Sequence, residues 1–253
     1  MPATEMDSAT ATAAAAAAAG GAGKREYVQQ IFSEIAPRYD LLNHVLSLNI
    51  DKAWRKRAIA ELGVSRNPRG AYLDLCAGTL DVAAQLSKTN DFSGFIVGAD
   101  FAEPMLKAGN GKLSEKQGSP VAADALHLPA RDGGFAGAIV AFGIRNVANL
   151  DAALRETFRV LAPKGKFVIL EFSLPRMPVL RSLYQGYFNY VLPFFGRMIS
   201  GHRTAYTYLP KSVANFPVEE ELAARMRLAG FTSVKWTSLT FGVAAIHVGE
   251  RAA

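Results

Sequence analysis

Ala71-Tyr-Leu-Asp-Leu-Cys-Ala-Gly-Thr-Leu-Asp81 is an apolar run that breaks into a tight turn of small residues, and Ile96-Val-Gly-Ala-Asp100 is a second apolar run that ends in an acid. A helical pattern lies between them. An α/β sheet builds a pocket for a ribose-bearing cofactor in this way. The turn after the first strand lets backbone approach the ligand, and an acid closing the second strand accepts hydrogen bonds from both ribose hydroxyls. The spacing indicates a nucleoside, and the glycines decide which one. A dinucleotide site needs G-x-G-x-x-G, so that backbone can close on a pyrophosphate at a helix start. Here Ala77-Gly78-Thr79-Leu80-Asp81 offers one glycine, and there is no P-loop. A nicotinamide-dependent oxidoreductase is therefore disfavoured. S-adenosylmethionine carries no phosphate. It needs close backbone at its methionine end and acids near its ammonium and ribose, and Asp74, Gly78, Thr79 and Asp100 supply these. Asp124, after a third apolar run, is placed to receive the adenine amino group.

Outward from this stretch the chain alternates. Strands are expected at 71–76, 94–99, near 119–122, at 135–141 and at 166–172. Helices are expected at 79–88, 102–116 and 150–161 between them, and at 217–229 before Gly230. Runs 231–239 and 241–248 follow with no helix between and read as a terminal hairpin. The fold class is α/β: a Rossmann-like sheet, mostly parallel, with a terminal antiparallel hairpin. Residues 24–62 add amino-terminal helices, broken at Pro37, with Tyr27, Ile31 and Ile35 marking one apolar face. The long segment before the last helix carries Tyr184, Tyr187, Phe188, Tyr190, Phe194 and Phe195, an aromatic insertion that could cover a greasy substrate.

With 253 residues, half of them hydrophobic, one domain spanning 24–253 has material for a full core. Residues 1–23 are Ala-rich, contain no base and have no apolar stripe, and read as a disordered tail. They lack the basic start of a secretory signal and the arginines of a transit peptide, which favours a cytoplasmic protein. No charge-free apolar run is long enough to span a bilayer. The single cysteine, Cys76, excludes an internal disulfide and reads as a small core residue. The four histidines are scattered, and no metal site is expected. The formal charge is +6. The tail holds two acids, so the body sets 28 bases against 20 acids. Lys52, Arg55, Lys56, Arg57, Arg66 and Arg69 cluster before the first strand and suit an anionic membrane surface or a solvated face. No nucleic-acid motif accompanies them.

Three further motifs carry a resemblance. Tyr39-Asp40-Leu-Leu-Asn43-His44-Val-Leu-Ser47, reaching Trp54, resembles the first signature of the ubiquinone/menaquinone C-methyltransferase family. Arg159-Val-Leu-Ala-Pro-Lys-Gly165-Lys-Phe-Val-Ile-Leu-Glu171-Phe is similar to its second signature, and Phe142-Gly-Ile-Arg145-Asn146-Val to its motif after the fourth strand. The likeness spans roughly residues 24–250. It implies a class I methyltransferase fold and transfer of a methyl group from S-adenosylmethionine to a ring carbon of a polyprenylated quinol. Demethylmenaquinol is favoured over a benzoquinol or another lipophilic aromatic acceptor. It also implies cofactor contacts at Thr79, Asp100 and the pair Asp124-Ala125. Four positions depart from the pattern: Leu80 stands for glycine, Ala141 for serine, Leu42 for methionine and Asp51 for histidine. Leu80 and Ala141 keep open a non-catalytic cofactor-binding subunit, and the sequence leaves a homodimer open.

The chemical demand is to remove a phenolic proton, whose pKa is near 10, while the ring carbon is aligned with the methyl group and water is excluded. Arg145, just past the fourth strand, is expected to stabilise the developing phenolate or hold a water, and Asn146 to hold the ring oxygen. His44 is the candidate base. Tyr39, Asp40 and Asn43, from the amino-terminal cover, are expected against the substrate.

Overall fold

The computed structural model describes residues 23–39, 47, 49–90, 92–186 and 204–253. Asp40, Asn43, His44, the tail up to residue 22 and the aromatic insertion from Tyr187 onward lie outside the described residues.

Seven strands form one sheet: β1 (Ala71–Leu75), β2 (Phe95–Asp100), β3 (Gly118–Ala122), β4 (Phe135–Ala141), β5 (Leu161–Phe172), β6 (Thr232–Leu239) and β7 (Ala244–Glu250). Their spatial order is β3-β2-β1-β4-β5-β7-β6. The first five run parallel. β7 runs antiparallel to both β5 and β6, which confirms the terminal hairpin. The order reverses between β1 and β4, and at such a switch point the carboxyl ends of the strands open a crevice.

Alternate strand residues face opposite layers. Tyr72, Ile139, Val168, Leu170, Ile246 and Val248 pack under helices α2 (Ile50–Leu62) and α3 (Asp81–Leu86). Leu73, Leu75, Ala138, Val140, Phe167 and Ile169 pack on the other side, under α5 (Leu150–Val160) and α8 (Glu219–Leu228). This period of two on strands flanked by helices on both faces is what the apolar runs required. Asn149 caps α5 by accepting the Ala152 N–H at 3.0 Å. The helix α4 (Glu103–Ala108) has Pro104 in its first turn.

The remaining helices gather over one end of the sheet. Val28, Ile31 and Ile35 of α1 (Lys24–Ile35) pack against Tyr208 of α7 (Thr204–Ala214). A further helix, α6 (Pro178–Gly186), follows β5.

Two helices are shorter than expected. The helix over 79–88 contracts to α3 because Leu80, just before it, adopts a left-handed conformation. The helix over 102–116 contracts to α4 because Gly109 and Gly111 (φ 85°) stop it. The fifth strand begins five residues early, at Leu161, which pairs with Phe135.

Candidate cofactor and acceptor site

The cleft opens at the carboxyl ends of β1, β2 and β4 and encloses about 710 Å³ including its mouth. One wall is Gly78, Asp100, Phe101 and Met105. Asp124, Ala125 and Leu126 form the next, and Ala141, Phe142, Gly143 and Asn146 close the far side. Arg25, Phe32 and Tyr39 come down from the amino-terminal helices.

Asp100 is the best anchored of the expected contacts. Its Oδ2 accepts the Gly78 N–H and its Oδ1 the Ala102 N–H, both at 2.8 Å. Burial pushes its carboxyl up, and those amides pull it back. Each oxygen keeps a second lone pair, as a ribose diol requires. Asp124 Oδ1 accepts the Leu126 N–H at 3.0 Å, and its Oδ2 lies 3.5 Å from Arg25 Nε. Gly78 has φ +52°, and a Cβ there would sit 3.3 Å from Met105 Cε, so any side chain would crowd the wall.

Three expected contacts lie behind the cleft wall rather than in it. Asp74 is 1% exposed and accepts the Ala83 N–H of α3 at 2.9 Å. Burial pushes its pKa up to about 8. It therefore fastens the first turn of the helix to β1. Thr79 is buried beneath the turn, with its carbonyl packed where a Cβ on Gly109 would come within 2.6 Å. Arg145 is 8% exposed and pairs with Glu171 of β5 at 2.6 Å. Its guanidinium also donates to the Phe142 carbonyl and stacks 5.4 Å from the Phe172 ring. Burial pushes the Glu171 carboxyl up, and Arg145 draws it back down.

Asn146, in the 3₁₀ turn Ile144–Asn146, does line the cleft. Tyr208 donates its hydroxyl hydrogen to Asn146 Oδ1 at 3.2 Å. Lys24 Nζ donates to the neighbouring Arg145 carbonyl at 2.8 Å, and burial, then Arg145, lowers its pKa to about 8. Tyr39 lines the cleft as expected, edge-on to Phe32 at 5.8 Å. Cys76, read from sequence as core, is half-buried and faces the cleft with φ +53°. The strand turns there, so its side chain leaves the alternation. Burial pushes its thiol well up, which keeps it protonated and inert.

Of the departures, Ala141 lines the cleft and Leu42 lies outside the described residues. Asp51 is buried; it accepts from Ser47 Oγ at 2.5 Å and pairs with Arg55 at 2.6 Å. Arg55 reaches on to Asp81 at 3.3 Å, and Lys112 pairs with Asp81 at 2.6 Å. Arg55 thus leaves the basic surface cluster for a buried network behind the cofactor turn.

Arg25, Glu171 and Tyr208 were not singled out by the motifs as site residues. Glu171 lies within the quoted second signature, but its buried pairing with Arg145 is visible only in three dimensions. The cleft suits S-adenosylmethionine: Asp100 and Asp124 both line it, Phe101, Met105 and Leu126 give it apolar walls, and the backbone borders it at Gly78. The turn lacks the glycines a pyrophosphate would need.

Comparison with known proteins agrees. The sequence pattern of the ubiE/COQ5 methyltransferase family matches residues 21–251. The demethylmenaquinone methyltransferase of Thermus thermophilus is 50% identical over 224 residues, covering 87% of this chain and 100% of that protein. That of Deinococcus radiodurans is 44% identical over 230 residues, covering 90% and 94%. Among solved structures, a SAM-dependent methyltransferase from Thermotoga maritima superposes with a TM-score of 0.58 at 19% identity, covering 88% of this chain and 99% of that one. At that identity the likeness concerns the fold.

Proposed function

The chain belongs to the ubiE/COQ5 methyltransferase family and is an S-adenosylmethionine-dependent methyltransferase, and on that premise we propose that it methylates a ring carbon of a polyprenylated quinol, converting demethylmenaquinol to menaquinol. The observation that carries this reading is the joining of two subsites in one cleft: Asp100, Gly78 and Asp124 on the cofactor side, and Asn146 with the Phe142 wall on the acceptor side. The names of the relatives, demethylmenaquinone methyltransferases over most of the chain, support the naphthoquinol acceptor.

Asp100 holds the ribose hydroxyls, Asp124 and Ala125 receive the adenine edge, and the Gly78 turn approaches the methionine end. S-adenosylmethionine held by these residues would supply an electrophilic methyl for the acceptor's ring carbon, its sulfur keeping the bonding pair. The acceptor's hydroxyl proton leaves first, raising electron density on the adjacent carbon. After transfer, the ring C–H proton is lost and oxygen regains one, so one proton is released overall. Asn146 donates to the oxygen that carries the developing charge. Arg145 and Glu171 form the buried pair that holds the Asn146 turn against β5. Tyr39 supports the acceptor from above, and in this reading Asp40 and Asn43 contact the substrate, with His44 as candidate base.

A polyprenyl acceptor resides in a bilayer, and the exposed bases Lys52, Lys56, Arg57, Arg66 and Arg69 support peripheral contact at the inner membrane face.

The test is methyl transfer from labelled S-adenosylmethionine to short-tailed demethylnaphthoquinol and benzoquinol acceptors. Faster turnover of the naphthoquinol is expected. Cofactor binding with no transfer to either ring would leave a binding subunit instead.

A further inference from the structure

Asn146 carries the acceptor chemistry, yet an amide has two different ends. Its oxygen accepts, its nitrogen donates, and only the nitrogen can stabilise a phenolate. Something must decide which end meets the acceptor. The backbone of the 3₁₀ turn fixes where the side chain starts, through the Asn146 N–H to the Gly143 carbonyl at 3.0 Å. It does not fix rotation of the terminal amide.

Tyr208 does. It is 3% exposed, and its hydroxyl lies 3.2 Å from Asn146 Oδ1 as donor. The tyrosine is itself held in place. Val28, Ile31 and Ile35 of α1 surround it, and the Tyr27 ring lies 5.9 Å from its own. Resting on the reading above, we infer that Tyr208 is a positioning residue for methyl transfer: its hydroxyl takes Asn146 Oδ1 and so turns the Nδ2 hydrogens toward the acceptor's ring oxygen. Burial raises the Tyr208 pKa to about 12, so the hydroxyl stays a donor throughout the working range. A flipped amide would point a carbonyl oxygen at the developing phenolate, oxygen against oxygen, while the tyrosine hydroxyl would change from donor to acceptor.

The device also joins parts of the chain that share no motif. Tyr208 belongs to α7, Asn146 to the turn after β4, and the packing around Tyr208 to α1. Docking of α1 and α7 therefore sets the direction of one donor in the cleft. An acceptor oxygen meets that donor only when both helices are seated.

The experiment compares wild type, Tyr208→Phe, Asn146→Ala and the double variant, using labelled S-adenosylmethionine and a short-tailed demethylnaphthoquinol. Phenylalanine keeps the ring and its contacts, so only the hydroxyl is removed. Tyr208→Phe is expected to lower kcat by up to about a hundredfold, the lower end of what losing one oxyanion donor costs, with the KM for S-adenosylmethionine unchanged. In the Asn146→Ala background the same change is expected to add no further loss. Wild-type kcat in Tyr208→Phe, or an equal loss in both backgrounds, overturns the inference. Wild-type methylation beside an unaffected Tyr208→Phe removes the role of Tyr208 alone, whereas no methylation by the wild type removes the parent reading and this inference with it. Should Tyr208→Phe melt below the assay temperature, the same four proteins are compared at a temperature below its melting point, where a wild-type kcat in Tyr208→Phe overturns the inference.

Discussion

Leu80 stands where the family pattern has glycine, and its backbone explains why glycine is usual: φ 63° and ψ 22° lie in the left-handed region. A leucine there costs about 1–2 kcal/mol of backbone strain. It persists because its side chain is 2% exposed and packs on two glycines. A Cβ on Gly98 would come within 2.4 Å of Leu80 Cδ2, and one on Gly109 within 3.1 Å of its Cγ. Burial of the isobutyl group outweighs the strain. Both Leu80→Ala and Leu80→Gly should therefore lose about 2–4 kcal/mol in urea denaturation. Glycine should be no worse than alanine, whereas at a right-handed buried site it would be worse by about 1 kcal/mol. A glycine variant as stable as the wild type would show that packing on Gly98 and Gly109 does no more than offset the strain. The substitution was visible in the sequence as an anomaly. Its resolution was not, because Gly98 and Gly109 meet Leu80 only through the fold. Asp100, Gly78, Asp124 and Ala125 were legible because each sits at or just past a strand end, where topology alone aims it at the cleft. Asp74 and Thr79 were not, because one strand or turn position decides whether a side chain faces the ligand or the helix behind it.

Between elements, the strongest single tie at the acceptor side runs from the turn after β4 to β5, through Arg145 and Glu171. Motif spacing placed Arg145 past the fourth strand and left open whether it faced substrate or an acid. Glu171 ends an apolar run, Phe167-Val-Ile-Leu170, and a carboxylate buried there needs a cation. Removing one partner strands the other. Arg145→Ala is expected to cost about 3–5 kcal/mol of stability, read as a lowered melting temperature, as well as turnover. The paired replacement Arg145→Met with Glu171→Leu removes both charges and should recover most of that stability. It should not recover methyl transfer, since the Asn146 turn loses its hold on β5, while S-adenosylhomocysteine binding should stay near wild type because Asp100 and Gly78 are untouched. Recovery of turnover along with stability would mean the pair serves the fold alone. The helix lengths follow the same logic. Gly109-Asn110-Gly111 supplies the stop that shortens α4, and the early start of β5 depends on pairing with Phe135, a partner that periodicity cannot see.

Across the whole molecule, the substrate sets a problem of location. No helix among the described residues is long and apolar enough to cross a membrane; in the proposed function, an acceptor dissolved in a bilayer would be met at its surface. On α2 it is charge rather than apolar surface that faces outward. Trp54, Ala58, Ile59 and Leu62 of α2 are buried against the sheet, whereas Lys52, Lys56 and Arg57 are exposed, Lys52 and Lys56 one helical turn apart and Arg57 next along the chain. Arg66 and Arg69 extend the patch, though Arg66 shares its charge with Glu250 at 3.5 Å. Each base held near an anionic leaflet contributes about 1 kcal/mol, and that attraction fades as salt shortens the Debye length from about 10 Å at 0.1 M to about 3 Å at 1 M. The triple variant Lys52→Glu, Lys56→Glu, Arg57→Glu is therefore expected to bind vesicles containing phosphatidylglycerol at least tenfold more weakly in co-sedimentation. Wild-type binding should fall similarly in high salt, and neutral vesicles should bind little in either case. Turnover of a short-tailed, water-dispersed acceptor should survive the triple change, because none of the three side chains lines the cleft, while turnover of a long-tailed acceptor in those vesicles should drop with binding. Vesicle binding indifferent to both salt and the triple change would move the docking face away from α2.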